Sequence, residues 1–442
     1  MTKKKKTIVW IIVAVLFIVI VVPVSGYGIL SLINPNPPKK RVAHIENDTG
    51  YVQAYGRNIY DENGYILFFN GVNLGNWFDQ EYWMAVSSVG DRWGSYSRGQ
   101  TFQTGRYTQK RGLAAMRANP NLTEEDIEEL NRLYIDTYIR EEDFKNIADL
   151  ALNCVRINFT CYNLTSDGYR IREDAFDKID WALNMCEKYG LYAILDYHGA
   201  IGSQNKDIHS GNDETFDLYG NEKNEEATKE IWRTIARRYK GRNVIAAFDL
   251  LNEPRRAEGK FTGRINFDFY DELYKVVREE DENRMLIMEC FTFPTHGVNE
   301  KRYGWENICI SYHYYNHTPF SEKFSINFYR VTHNLMGYDV PIIIGEFSEW
   351  GDERNWHEAF DAFDKMGWSY LSWTYKTNRY LYKNNDYFGE MNTWGLYELD
   401  IRPVNLFTAT KEEIANTYAG TGTENAEKSL IYGVYEKRLG IK

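Results

Sequence analysis

Eight short apolar runs, most followed by an amphipathic segment, predict an α/β chain folded as a (β/α)8 TIM barrel. Three of the runs carry most of that reading. Residues 244–251 (VIAAFDLL) and 341–347 (PIIIGEF) are apolar on both faces, as parallel strands buried between helices and a barrel interior must be. Each delivers a glutamate near its end, Glu253 and Glu346. Residues 191–196 (LYAILD) repeat the pattern and lead to His198.

In chain order the predicted strands are 66–72, 154–159, 191–196, 244–251, 284–289, 308–313, 340–346 and 368–373. Amphipathic stretches at 141–152, 172–189 and 225–239 lie between them. A strand, a helix and a parallel strand cross over right-handed, and eight such units close on themselves. The first connection breaks the spacing: residues 73–136 are too long for a simple crossover and hold many tyrosines, tryptophans, glycines and arginines. The barrel is therefore expected to carry a long insertion after its first strand, building one wall of a cleft. A decorative or oligomer-forming insertion is the alternative. Residues 408–420 read as a closing helix.

Ahead of the barrel, Lys3 to Lys6 precede residues 7–24, which carry no charge, and 25–33 extend the run. We expect 1–33 to be one transmembrane anchor with a cytoplasmic N-terminus, 34–49 a Pro-rich spacer, and 50–442 an extracellular catalytic barrel. A signal peptide cut near Ser25-Gly26 is the alternative. The net charge of −11 argues against a nucleic-acid partner. The load of 34 Tyr, 23 Phe and 12 Trp favours a carbohydrate ligand, whose rings stack on aromatic faces. Cys154, Cys161, Cys186, Cys290 and Cys309 fit no zinc spacing and read as small buried hydrophobes. No cofactor or metal is expected: His296 and His333 have no carboxylate or histidine at ligand spacing.

The residues at the predicted strand ends form a set: Arg156, His198, Asn252 with Glu253, His313 with Tyr315, Glu346, and Trp373. Two carboxylates on strand ends are what a retaining glycoside hydrolase needs, one as acid/base and one as nucleophile. Arg156 and Tyr315 would keep the nucleophile ionised and in place. The acid/base must hold a proton near neutral pH, and a neighbouring carboxylate raises its pKa. Asn252 would hydrogen-bond a sugar 2-hydroxyl, and Trp373 would offer the ring a flat face. His209, Glu289 and Asp196 are weaker candidates for the cleft lining.

This set resembles glycoside hydrolase family 5 over about residues 64–395. The resemblance implies Glu253 as acid/base, Glu346 as nucleophile, and Arg156, His198, Asn252, His313, Tyr315 and Trp373 as substrate-site residues. Gly71-Val-Asn-Leu-Gly-Asn-Trp-Phe78 followed by Glu81 is similar to the opening of the family's exo-β-1,3-glucanase branch, as is His198-Gly-Ala-Ile-Gly-Ser-Gln-Asn205. In that branch the glutamate matching Glu81 binds the sugar before the cleaved bond. One departure stands out: the branch continues with Asp-Asn-Ser-Gly where this chain has Ile208-His209-Ser210-Gly211. The implied activity is retaining hydrolysis of an extracellular β-glucan or its oligosaccharides by a monomer. A β-mannan or other β-hexoside hydrolase, and a non-catalytic carbohydrate-binding barrel, are the alternatives.

Overall fold

The computed structural model describes residues 42–90, 107–166, 169–255, 267–290, 300–315, 321–380 and 393–440. The expected anchor, the first half of the spacer, and His296 lie outside them. The chain divides into two units, Met1–Ile45 and Glu46–Lys442, and the second is described below. Among the described residues no helix is long and apolar enough to cross a membrane.

Eight parallel strands close into a barrel in chain order. They are β1 (Asn70–Asn73), β2 (Cys154–Thr160), β3 (Tyr192–Gly199), β4 (Ile245–Asp249), β5 (Met285–Glu289), β6 (Ile308–Tyr315), β7 (Ile342–Ser348) and β8 (Ser369–Ser372). The ring closes where β8 pairs with β1, Tyr370 opposite Asn70. Helices Asp177–Tyr189, Glu222–Tyr239, Phe267–Glu280, Glu322–Met336 and Glu353–Met366 occupy crossovers, each burying an apolar stripe.

The first strand needs correcting. The apolar run predicted at 66–72 divides: Ile66–Leu67 pairs antiparallel with Asn58–Tyr60, and only Asn70–Asn73 joins the barrel. Gly71 explains why so polar a segment enters the ring. A Cβ there would lie 2.3 Å from the Cys154 carbonyl oxygen, so β1 and β2 approach at a distance only glycine allows.

The insertion carries secondary structure that the sequence pattern did not anticipate. Its described residues include two helices, Gln109–Ala118 and Glu124–Tyr138. The second helix starts on a capping box, Thr123 with Asp126, and buries Ile127, Leu130, Tyr134 and Tyr138 at helical spacing. It packs against the closing helix Lys411–Ala419, forming an outer layer. The stretch just after β1 runs to the catalytic face, and Gln109 at the start of the first helix reaches Thr160 at the end of β2. All five cysteines are buried and free.

The barrel interior has two characters. Toward its N-terminal end Phe69, Cys154, Ile194, Ala247, Ile287, Cys309, Ile343 and Leu371 form an apolar plug, closed by Val52 and Ile59. Toward the C-terminal ends of the strands the interior turns polar and charged.

Candidate active site

Arg156 is the third residue of β2, so it lies inside the barrel and not at the strand's end as the sequence pattern implied. It is fully buried and works as the hub of the polar half. Its Nε donates to Asp249 Oδ2 at 3.0 Å, and its terminal nitrogens donate to Asn73, Glu346, Asn252 and Glu289 at 2.9–3.0 Å. Asp196 Oδ1 is also 2.9 Å away. Burial opposes the guanidinium charge, but the surrounding Asp196, Asp249, Glu289 and Glu346 push its pKa well up. Asp249 pays the opposite way: burial, then the Glu289 charge, push its carboxyl well above the usual range.

Glu346, in β7, is 5% exposed, and both its oxygens are held. Arg156 donates to Oε1 at 2.9 Å and the Tyr315 hydroxyl donates to Oε2 at 2.9 Å. The Asn73 amide donates to the Gly345 carbonyl just before it at 2.9 Å.

Glu253 sits past β4 in a left-handed backbone conformation, φ 41°. Such a conformation costs a non-glycine residue about 1 kcal/mol or more and turns the side chain into the barrel mouth. Its N–H donates to Glu289 Oε2 at 2.6 Å. Imidazoles meet both carboxylate oxygens. His313 Nδ1 is 2.7 Å from Oε1, and His209 Nε2 is 3.3 Å from Oε2. This overturns one expectation. Burial would raise the Glu253 carboxyl, yet His209 and His313 outweigh it and hold the pKa below the ordinary value in the free protein.

Oxygens of Glu253 and Glu346 lie within 4.8 Å of each other. His313 Nδ1 lies between them, 3.3 Å from Glu346 Oε2, and with Glu253 and Glu346 it makes the one trio of possible cation ligands among the described residues. Burial works against its charge, but Glu289, Glu346 and Glu253 push its pKa well up. His313 Nδ1 thus faces an oxygen of each carboxylate, placed to donate between them.

The remaining predicted residues fall into place around this pair. His198 Nδ1 lies 2.6 Å from Asp196 Oδ2, and its Nε2 lies 3.3 Å from the Asn252 amide nitrogen. Burial pushes its pKa down to about 3, so the ring is neutral, with its proton on Nδ1 facing Asp196. Trp373 lies parallel to that ring, at 5.4 Å and 13°. Asn252 Oδ1 is engaged by Arg156, which leaves the side chain locked in the network. Glu81 is 7% exposed and accepts from Trp83 Nε1 at 2.8 Å. Burial pushes its carboxyl up to about 7.

Sequence reasoning passed over several groups here. Asp79 is fully buried, pushed well up by burial, and neither oxygen has a hydrogen-bond partner among the described residues. Its only signal was its position two residues before Glu81. Asn73 and Asp249 were read as parts of a motif and an apolar run, and Trp394 packs 4.5 Å from Trp83 and 6.1 Å from Tyr315. His333, by contrast, is a satisfied core residue, hydrogen-bonded to the Tyr312 hydroxyl at 2.8 Å.

The profile of the cellulase family, glycosyl hydrolase family 5, matches residues 116–379. A protein named beta-xylosidase from Phanerodontia chrysosporium is 25% identical over 60% of this chain and 52% of its own length. A protein named glucan 1,3-beta-glucosidase from Blumeria graminis is 31% identical over 55% of this chain and 54% of its own. The chain thus spans about half the length of these relatives. The fold is shared with a solved endogalactoceramidase, at 14% identity and a TM-score of 0.55 over 84% of each chain. A match over more than half of the chain, on a closed barrel with paired glutamates at its mouth, places this protein in glycoside hydrolase family 5.

Proposed function

We propose that this protein is a retaining β-glycoside hydrolase acting on a β-glucan or its oligosaccharides, with Glu346 as nucleophile and Glu253 as acid/base. The observation that carries the reading is the pair of carboxylates within 4.8 Å, each with different partners. Retaining enzymes hold their two carboxyl groups about 5–5.5 Å apart, too close for a water to be activated between enzyme and sugar. Glu346, gripped by Arg156 and Tyr315, attacks the anomeric carbon and forms the glycosyl-enzyme. Glu253, between two imidazoles, protonates the leaving oxygen and then takes a proton from the attacking water.

The relatives named glucan 1,3-beta-glucosidase, together with the opening motif through Glu81, support a glucan and release of single glucose units. The relative named beta-xylosidase supports a second reading, a β-xyloside substrate. We further propose that residues 1–33 anchor the protein in a membrane, that 34–49 are a spacer, and that the barrel acts outside the cell as a monomer.

Chemical rescue tests the roles. Azide should restore turnover to Glu346→Gly and give the α-glycosyl azide, while Glu253→Ala should release an activated aryl leaving group in a burst. Reversed outcomes would exchange the two assignments. Fractionation with external protease tests the anchor, and a soluble product starting near residue 26 would overturn it.

A further inference from the structure

His209 stands where the similar exo-glucanase branch has an asparagine, and its surroundings are those of a proton-holding group. It lies on the short 3-10 turn Ile208–Ser210 after β3, and its side chain is 15% exposed. Its Nε2 faces Glu253 Oε2 at 3.3 Å and the Asn205 amide nitrogen at 2.9 Å. The orientation of Asn205 is fixed independently: Oδ1 accepts from the Asp207 N–H at 2.9 Å, and Nδ2 donates to the Glu253 carbonyl at 3.0 Å. An N–H of Asn205 therefore points at His209 Nε2.

Resting on the glycosidase reading, we propose that His209 is a positioning residue that exchanges one proton with Glu253, so that the two together form the acid/base unit. With the proton on His209, Nε2–H donates to Oε2, and Glu253 is the carboxylate required to deprotonate water. With the proton on Glu253, Oε2–H donates to Nε2, and Glu253 is the acid required by the leaving group. No other reactant is needed: one proton moves along one contact. Asn205 keeps the exchange open. When Nε2 carries the proton, the Asn205 N–H loses its acceptor, which opposes permanent residence of the proton on the imidazole. A retaining acid/base alternates between these two forms in each turnover, so a partner able to take either role suits it.

The charges around His209 come from several elements. Glu253, Asp207, Glu81 and Glu346 all favour its charged form, and together they overcome burial and raise its pKa. His198, with ring centroids 5.9 Å apart, is neutral. Arg255 pairs with Asp207 at 3.0 Å and lies near Glu253.

Two measurements decide the matter. The first needs no substrate. NMR titration of ring-labelled histidines in the ligand-free protein, with His209 assigned by its loss in His209→Asn, compares wild type with Glu253→Gln. The His209 midpoint should fall by about one pH unit or more when the carboxylate is removed. An unchanged midpoint overturns the proposal. The second is the pH profile of kcat/KM for laminaribiose and for 2,4-dinitrophenyl β-glucoside. In His209→Asn the basic limb for laminaribiose should move down by about one pH unit, while the dinitrophenyl limb, which needs no acid, keeps its position. Parallel loss on both substrates with no displaced limb would make His209 a mere support for its turn. His209→Gln provides the same comparison if the asparagine variant does not fold. Should the wild type hydrolyse neither compound, the glucosidase reading fails, and the titration still decides the pair.

Discussion

The two halves of the barrel interior are built on opposite principles. Toward the N-terminal ends of the strands, Ile194, Ile287, Ile343 and Leu371 fill the ring with apolar volume that has no polar obligations. Toward the C-terminal ends, one arginine is surrounded by Asp196, Asp249, Glu289 and Glu346, and Asp79, Glu81 and Glu253 are buried close by. That half places more acids than bases out of water, and several of its carboxyls are pushed up or pulled down accordingly. The comparison teaches that the same eight strands carry stability at one end and stored electrostatic work at the other.

The sharpest way to break the contrast is to remove the hub. Arg156→Met leaves buried carboxylates without their cation and should cost about 3–5 kcal/mol in urea unfolding, with loss of activity. A variant as stable as wild type would show that Arg156 does not hold the polar half together. Glu81→Gln comes next. Its native pKa of about 7 exceeds the unfolded value of 4.5, so the unfolded chain ionises first as pH rises. Wild type should therefore lose roughly 3 kcal/mol relative to the glutamine variant between acid pH and pH 8, from the 1.36 kcal/mol carried by each pKa unit. The kinetic deficit runs the other way in pH. A lost charged acceptor lowers kcat/KM by roughly 10- to 150-fold, and the gap should be widest above neutrality, where Glu81 is ionised. A stability difference flat with pH would mean that Glu81 is solvated. The smallest change belongs to the apolar half. Ile343→Val should cost about 0.5–1.5 kcal/mol by thermal unfolding and leave kcat/KM alone. A kinetic effect there would deny that the two ends are separable.

What the sequence disclosed follows the same division. Strands β3, β4 and β7 were legible because burial on both faces leaves an unbroken apolar run. β1 was misplaced because its residues are Asn-Gly-Val-Asn, chosen for close backbone approach and for hydrogen bonds, while the apolar Ile66-Leu67 beside it serves a hairpin. The insertion helix at 124–138 had a readable signature, Thr123 with Asp126 and an apolar stripe, hidden by treating 73–136 as one loop. The two glutamates were found because each belongs to the C-terminal part of an apolar run, Glu253 past β4 and Glu346 within β7. The direction of the Glu253 shift was not, because His209 reaches it from the turn after β3 and His313 from β6, and only the fold brings them together. Asp79 and Asp249 had no motif of their own.

Ring closure has a consequence for how the chain is made. Asn70 and Tyr370 are adjacent in the finished barrel yet lie at opposite ends of the order in which a ribosome delivers the strands. Until β8 emerges, β1 has one partner and one open backbone edge, able to pair with any passing strand. Sealing that seam joins residues of very large sequence separation, the kind of contact that slows folding. The seam cannot form until residues 369–372 have emerged, and Trp373, next to the strand that seals it, is among the last site residues to arrive.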